Sequence, residues 1–239
     1  MTIKNRPVYI ARDDEHAISS DYQQPIAKSG ASKILIYGGI GRYSDVDPSA
    51  VIAQIDSAES DGEKTVDVHI NSPGGSVFDG VAIYNALLQS PLRVRVVIDG
   101  LAASAASLIA MAGDDIEMAK NARLMIHRAR AAVFGPASSM RKMATVLQGI
   151  DADLIGVYAD RSGQDPDAVK KLVDAETWLT AAEAVKKGFA DRVVGASDNA
   201  AAENTAHSDD DIATAAAADA RRIYVRRLQI ETLNPLEDK

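Results

Sequence analysis

The sequence predicts an α/β domain built from repeated strand–strand–helix units with stacked sheets. Short runs rich in β-branched residues alternate with longer segments in which apolar residues recur at helical spacing. A chain of 239 residues, 46% of them hydrophobic, can bury a sizeable core. We expect this domain over residues 31–195, between a flexible N-terminal arm at residues 1–30 and a polar tail rich in Ala and Asp at residues 196–239.

The first half of the domain is expected to contain three strands and two helices. The strands are predicted at residues 33–37, 65–70 and 94–98, and the helices at Pro48–Ser60 and Val77–Gln89. Asp47 is placed to cap the first helix, and residues 71–75, Asn-Ser-Pro-Gly-Gly, are typical of a turn. The second helix is expected to turn four apolar residues toward the core: Val81, Tyr84, Leu87 and Leu88.

The second half of the domain begins with a small-residue helix that starts near Ala103. Two short strands, at residues 115–118 and 123–127, precede an irregular segment at residues 128–135. Further helices are predicted at residues 137–161, from Asp165-Pro166 to just before Glu176, and from a Thr180 cap to Lys187, with a last strand at residues 192–194.

Composition argues against several classes of function. A net charge of −8 disfavours a nucleic-acid partner, which needs clustered Lys and Arg. The absence of Cys excludes disulfides, thiolate metal sites and a cysteine nucleophile, and it suits a cytoplasmic location. Because no run of about 18 apolar residues occurs, no membrane partner is expected. The basic and apolar residues 221–227 are interpreted as a patch on a solvated tail.

Residues 99–113 contain the strongest candidate for a reactive group. Ser104 falls where the third strand meets the small-residue helix, beside unpaired N–H groups and the positive end of the helix dipole. Both favour the negative charge that develops when a serine attacks a carbonyl group. Ser is also a common helix cap, and Ala flanks Ser104 where a nucleophile elbow has Gly. Ser107 and Ser76 are the alternative nucleophiles.

A serine nucleophile needs a base, and the chain has four histidines: His16, His69, His127 and His207. The first and last lie in the predicted arm and tail, which cannot hold a base in place. His69 lies within a strand and is interpreted as structural, whereas His127 ends a strand, where its side chain can enter a cleft. Glu176 or Asp174, just before Trp178, is placed to orient the imidazole.

Four blocks of the sequence, in this order, resemble the proteolytic subunit of the Clp protease over residues 31–195. The blocks are Asn71-Ser72-Pro73-Gly74-Gly75, Gly100-Leu101-Ala102-Ala103-Ser104-Ala105, Leu124-Met125-Ile126-His127, and Leu179-Thr180-Ala181-Ala182-Glu183-Ala184 with Gly188-Phe189-Ala190-Asp191. Three details resemble the bacteriophage branch, the Clp-like prohead or head-maturation proteases: His127-Arg128-Ala129, Tyr158-Ala159-Asp160-Arg161-Ser162-Gly163 and Glu176-Thr177-Trp178-Leu179-Thr180-Ala181.

The resemblance implies a fold related to that of the crotonases and a site that needs no metal or cofactor. It implies that Ser104 is the nucleophile, His127 the general base and Glu176 the third member, where the family has Asp; Asp174 is the second choice. It also implies an oxyanion hole formed by the N–H groups of Gly74 and Ala105, with Gly75 supporting the turn. Protein substrates and a homo-oligomeric ring are further implications.

Two departures bear on assembly. Arg128-Ala129 replaces the family's Gln-Pro after the base, and Ala175 replaces an Arg that helps ring-to-ring contact, so stacking of two rings is left open.

The leading hypothesis is a serine endopeptidase that processes capsid or scaffold proteins during phage head maturation, located in the cytoplasm or inside a prohead. The alternatives are a housekeeping core fed by an ATP-driven unfoldase, a weakly catalytic assembly protein, and a crotonase-type hydratase. Whether an ATPase partner is needed is left open.

Overall fold

A computed structural model describes residues 32–194. The predicted arm, the polar tail with its patch at residues 221–227, and both His16 and His207 lie outside the described residues. The described part contains seven strands and six helices, arranged as a mixed α/β fold with a largely parallel sheet. This confirms the fold class predicted from the sequence.

The elements follow one another in alternation. In chain order they are β1 (Ser32–Ile40), α1 (Pro48–Ser60), β2 (Thr65–Gly75), α2 (Val77–Gln89), β3 (Arg93–Ala103), α3 (Ala105–Ala110), β4 (Asp115–Ala119), β5 (Arg123–Ile126), α4 (Ala137–Ser162), α5 (Pro166–Asp174), β6 (Thr177–Thr180), α6 (Ala181–Lys186) and β7 (Arg192–Val194).

Two predictions of local structure were wrong. Residues 71–75 continue β2 as an irregular strand end rather than forming a turn, with Gly74 and Gly75 paired to Gly39 and Ile40 of β1. Their composition suits a turn, but the pairing with β1 shifts register between Asn71 and Gly74, which accommodates Pro73 at the strand end, and the pairing with β3 shifts between Ile70 and Ser72. Strand β6 was not predicted, because its four residues are too few to show a period.

The sheet branches at β3. Its order is β1-β2-β3-β4-β7, and all these neighbours are parallel. With 11 residues, β3 is long enough to pair first with β4, over residues 95–98, and then with β5, over residues 101–103. All seven strands are thus joined in one connected sheet, in which β5 also pairs with antiparallel β6.

Alternation along the central strands divides the sheet into an apolar and a polar face. Val66, Val68 and Ile70 of β2 are fully buried, as are their register partners in β3. On α2, the fully buried apolar side chains are Ile83 and Leu87, whereas the predicted Val81, Tyr84 and Leu88 are only partly buried. Helix α2 turns the face with Ile83 and Leu87 toward the core because the third buried residue on that face is a glycine, Gly80, which packs closely against Ala105 of α3.

The opposite face of the sheet carries a ladder of charges across β2, β3, β4 and β7. Arg95 binds Glu117 through two nitrogens, at 2.6 and 3.0 Å, and Asp67 at 3.1 Å, while Arg192 pairs with Oε1 of Glu117, the same oxygen that accepts from Arg95 Nε. Glu117 is only 2% exposed, and its bond to Arg95 is the main cause that lowers the pKa of its carboxyl group. A buried carboxylate is tolerated here because two guanidinium groups share it.

Candidate active site

Ser104 occupies the junction between β3 and α3 with an unusual backbone. Its φ and ψ angles are 55° and −123°, a region that residues other than glycine rarely adopt. The Ser104 N–H donates to the Met125 carbonyl of β5 at 3.0 Å, and its own carbonyl accepts from the Ser107 hydroxyl at 2.6 Å. Hydrogen bonds to its N–H and to its carbonyl therefore hold Ser104 in a backbone conformation that without them is about 1–3 kcal/mol less stable than an ordinary one.

Gly74 makes the strained junction possible. A Cβ atom at this position would lie 2.6 Å from the Ala103 carbonyl oxygen and 2.8 Å from the Ser104 Cβ. The φ angle of Gly74, +93°, also favours glycine. The end of β2 can therefore lie directly against the serine only because residue 74 has no side chain.

His127 follows β5 and reaches Ser104. Its Nε2 atom lies 2.8 Å from the Ser104 Oγ. Burial is the main cause that lowers the pKa of His127, and the positive charge of Arg130 lowers it further, against opposing effects of Glu176 and Asp151. The imidazole is therefore neutral at pH 7, and with its proton on Nδ1 it can accept the serine proton at Nε2.

The two candidate carboxylates differ in position. Glu176, which also has a positive φ of 49°, places its Oε2 atom 3.9 Å from His127 Nδ1, too far for a hydrogen bond. That Nδ1 atom is buried and has no hydrogen-bond partner among residues 32–194. Glu176 is instead paired with Arg130. Asp174 accepts from Arg128 at 2.7 Å and from Lys170 at 2.6 Å.

The glycines expected to form the oxyanion hole have different surroundings. The Gly74 N–H donates to Ser72 Oγ at 3.0 Å, and the Ser72 hydroxyl donates in turn to the Gly38 carbonyl at 2.6 Å. Gly75 lines the cleft beside Ser104, together with Ala105, the first residue of α3. Since the first N–H groups of a helix have no acceptor within the helix, the Ala105 N–H is available to a ligand.

The alternative nucleophiles and base are occupied elsewhere. Ser107 is fully buried, and its hydroxyl lies 2.8 Å from the Tyr158 hydroxyl of α4. Ser76 caps α2 by accepting from the Asp79 N–H at 3.4 Å. His69 lies 2.8 Å from a carboxylate oxygen of Asp99, on the strand where it was interpreted as structural.

Four residues near the site were not singled out from the sequence. They are Ser72, Arg130, Asp151 and Tyr158. Asp151 is 8% exposed and accepts from the Ala129 N–H at 2.8 Å, which fixes the segment after His127. The signal that could have found Arg130 is its alternation with Arg128 directly after the proposed base. This signal lay in residues 128–135, which were interpreted as irregular.

A cleft of about 320 Å³ opens above these groups. Its wall includes Gly75, Ser104, His127, Arg130, Leu154 and Tyr158. Within residues 32–194 no group of three or more His, Asp or Glu side chains is arranged to hold a metal ion. Nor does that part of the chain contain a helix long and apolar enough to cross a membrane.

Comparison with known proteins identifies the family. A family model described as Clp protease matches residues 27–197. The chain belongs to the Clp protease family. This confirms the family-level resemblance inferred from the four sequence blocks, whose serine and histidine lie in contact in the structure.

Relatives of this Clp family chain include proteins named ATP-dependent Clp protease proteolytic subunits. The chain is 36% identical over 140 residues to subunit 2 of Thermobifida fusca, and the match covers 58% of this chain and 68% of that protein. It is 35% identical over 136 residues to the subunit of Bacteroides fragilis, covering 56% and 66%, and 30% identical over 139 residues to subunit 1 of Mycobacterium bovis, covering 57% and 70%. The chain thus spans 62% to 70% of the lengths of these and similar relatives.

The close approach of Gly74 to Ser104 leads to a prediction about stability. We expect Gly74→Ala to destabilise the protein by roughly 1–3 kcal/mol more than Gly62→Ala, because its Cβ overlaps backbone and side-chain atoms. Gly62 is a matched control, since its φ is +76° and nothing lies within 4 Å of an added Cβ. Urea unfolding of both variants measures the difference. Equal losses would mean that Gly74 is needed only for its backbone angle.

Proposed function

We propose that this protein is a serine endopeptidase in which Ser104 is the nucleophile and His127 the general base. The observation that carries this proposal is the 2.8 Å contact between Ser104 Oγ and His127 Nε2, at a serine whose backbone is held at a positive φ. Such strain is typical of nucleophiles exposed at a strand-to-helix junction. Membership of the Clp protease family supports the same reaction.

The proposed reaction begins with attack of Ser104 Oγ on a peptide carbonyl carbon, while the hydroxyl proton moves to His127 Nε2. The tetrahedral intermediate then collapses: its C–N bond breaks, and the proton on Nε2 passes to the leaving amine. An acyl ester on Ser104 remains. Water, deprotonated by His127, hydrolyses this ester and restores the serine hydroxyl.

The oxyanion of the intermediate needs backbone donors, and we assign this role to the N–H groups of Gly75 and Ala105. Gly74 was the donor expected from the sequence, but its N–H is already bonded to Ser72 Oγ. The Ile40 carbonyl of β1, which lies beside Gly75, accepts from the N–H of the next residue, Ser76, at 2.8 Å. Gly75 lines the cleft beside Ser104, and a Cβ atom at this position would meet the Ile40 backbone of β1.

Glu176 is the carboxylate that we assign to His127. Its Oε2 atom lies 3.9 Å from Nδ1, and its charge raises the pKa of the histidine. Asp174, the second choice from the sequence, is held by Arg128 and Lys170. A closing movement of about 1 Å would bring Glu176 within hydrogen-bond distance of Nδ1.

The nucleophile and base are tested by substitution. We expect a fluorophosphonate probe to label the wild-type protein, and Ser104→Ala to lose both the label and peptidase activity while remaining folded. His127→Ala should lose as much activity as Ser104→Ala, because groups that act as one unit have non-additive effects. Labelled-peptide mapping and peptide hydrolysis measure these losses. If Ser107→Ala or Ser76→Ala abolished labelling while Ser104→Ala did not, the assignment would be wrong.

The third member is tested by comparing two carboxylates of the same segment. We expect Glu176→Gln to lower kcat by a factor on the order of 10²–10⁴, as for loss of the orienting carboxylate of a triad. Asp174→Asn should have a much smaller effect, because its partners are Arg128 and Lys170. Steady-state kinetics of both variants give the ranking. The reverse ranking would transfer the role to Asp174, and no effect from either would indicate a Ser–His dyad.

We also propose that the protein assembles into a closed ring, as family membership supports. Phe134, Met140 and Val146, in and just before α4, are exposed in the monomer, and a neighbouring subunit would cover such side chains. A ring also hides a peptidase site from bystander proteins. Because Ala175 takes the place of an arginine that helps ring contact in the family, a single ring, or rings that separate easily, is expected.

Mass photometry measures the assembly directly. We expect a species several times heavier than the 25.3 kDa chain. Introducing charge at the exposed apolar face, as in Met140→Asp, should shift the mass distribution toward smaller species. Glu59→Asp on α1 is a conservative surface control that should not do so. A wild-type distribution with only the monomer mass would contradict the proposal.

The setting that we propose is maturation of a phage head, with capsid or scaffold precursors as substrates. It rests on the three sequence details that resemble Clp-like prohead proteases, of which His127-Arg128-Ala129 borders the cleft. Confinement within a precursor shell would supply substrate at high effective concentration without an unfoldase. Degradation of proteins delivered by an ATP-driven unfoldase is the second candidate, favoured by the ATP-dependent names of the relatives.

The two settings differ in their need for ATP. We expect co-expression with the capsid gene of the same gene cluster to shorten the capsid or scaffold precursor in a Ser104-dependent way and without an ATPase. Intact mass spectrometry of the termini, in wild-type and Ser104→Ala cultures, measures this processing. Cleavage that occurs only after an ATP-driven unfoldase is added would favour the second candidate.

A further inference from the structure

Arg130 is a cleft residue whose guanidinium is paired with Glu176, the carboxylate assigned to His127. It lines the same wall as Ser104 and His127, and its side chain is 70% exposed. At the same time it is paired with Glu176, the carboxylate nearest to His127 Nδ1. Arg130 is therefore accessible to a molecule in the cleft while it holds a group that the histidine lacks.

The pairing leaves the histidine incomplete. Nδ1 of His127 is buried without a hydrogen-bond partner among the described residues, although a carboxylate oxygen lies 3.9 Å away. A buried donor left without a partner carries a free-energy cost. An alternative position of Glu176, bonded to Nδ1, would recover part of this cost. The resting arrangement is held against it by the attraction between Glu176 and the Arg130 guanidinium.

We propose that Arg130 is a specificity-determining residue that recognises an acidic side chain of the substrate, and that this recognition releases Glu176 to bind His127 Nδ1. The inference rests on the proposed peptidase function and names the substrate class of that site. A carboxylate near the scissile bond binds the exposed guanidinium, for which arginine has a planar fork of donors. Glu176, relieved of its partner, then moves the roughly 1 Å that separates it from a hydrogen bond.

Arg128, the other arginine of the cleft wall, is less suited to this role. It lies 2.6 Å from Asp174 and 3.7 Å from Asp151, so two carboxylates already surround its guanidinium. Asp151 is itself buried and bonded to the Ala129 N–H. A substrate carboxylate at Arg128 would meet negative charge on both sides. Arg130 lines the cleft with a side chain that is 70% exposed, and it is paired with a single carboxylate, Glu176.

Electrostatics act in the same direction at the histidine. The charge of Arg130 lowers the pKa of His127, whereas that of Glu176 raises it. When a substrate carboxylate neutralises Arg130 and Glu176 approaches Nδ1, both changes favour the imidazolium that forms during attack. An acidic substrate should therefore increase kcat, because the stabilisation is realised as charge develops. Simple attraction of the substrate to Arg130 would lower KM alone.

The experiment compares matched peptides that carry Asp or Asn, and Glu or Gln, at each position around the cleaved bond. With wild-type protein we expect at least one position at which the acidic peptide has a kcat about ten times that of its amide counterpart. Arg130→Gln should remove this preference and raise kcat for the neutral peptide, while Arg130→Lys keeps part of it. The acidic limb of the kcat/KM profile should move to higher pH in Arg130→Gln.

Arg141→Gln is the matched control. Arg141 is exposed on α4, 13 residues or about 20 Å of helix from Leu154 of the cleft, and its loss should change none of these values. Equal kcat for all acidic and amide pairs would overturn the inference, as would a preference that survives Arg130→Gln or one confined to KM. Cleavage of neutral peptides that still depends on Ser104 would leave the proposed function intact in those cases.

A measurement without turnover separates the two proposals. In the Ser104→Ala protein labelled with ¹⁵N-histidine, binding of the acidic peptide should bring a strongly downfield Nδ1 proton signal of His127, and the amide peptide should not. The signal should also be present without peptide in Ser104→Ala combined with Arg130→Gln. Its absence in both cases would overturn the inference whether or not the wild-type protein proves to be a peptidase.

Discussion

The site depends on one constraint: the backbone of Ser104 has to turn from strand to helix through a positive φ. Three contacts hold it there. The Met125 carbonyl accepts from the Ser104 N–H, the Ser107 hydroxyl donates to the Ser104 carbonyl, and Gly74, which has no side chain, lies directly against Ser104. The first and third come from other strands, β5 and β2, whereas the Ser107 hydroxyl lies in the first turn of α3, directly after Ser104. The strained serine is therefore stable only in the assembled sheet, and its hydroxyl is directed at the histidine only when β2, β3 and β5 are in register.

The branching of the sheet explains how the two proposed reacting groups meet. Ala103 of β3 pairs with Met125 of β5, so Ser104 comes one residue, and His127 two residues, after the same rung. Parallel strands carry their C-terminal ends to one edge, where polar side chains can leave the sheet. The position of His127 is thus fixed by the ladder itself, and the contact at 2.8 Å needs no long loop.

The sequence was sufficient for the order of the main helices and strands, because their periods extend over several turns or residues. It was also sufficient for proposing Ser104 and His127, because two of the other histidines fall in segments predicted to be flexible and the third falls within a strand. It did not reveal that Gly74 is bonded to Ser72 while Gly75 lines the cleft, because that distinction depends on the register shift between Asn71 and Gly74. Nor could it pair Arg130 with Glu176, which are 46 residues apart and meet only through tertiary structure.

A second polar chain behind the serine acts as a fixed support. Tyr158 is buried, its ring packs edge-on against Phe189 at a centroid distance of 6.1 Å, and its hydroxyl lies 2.8 Å from that of Ser107. Burial raises the pKa of Tyr158 to about 12, so this hydroxyl stays protonated at any pH at which the fold is expected to persist. The support beneath Ser104 therefore does not titrate. A response of the site to pH near neutrality must arise at the cleft side, where the imidazole of His127 lies between the charges of Arg130 and Glu176.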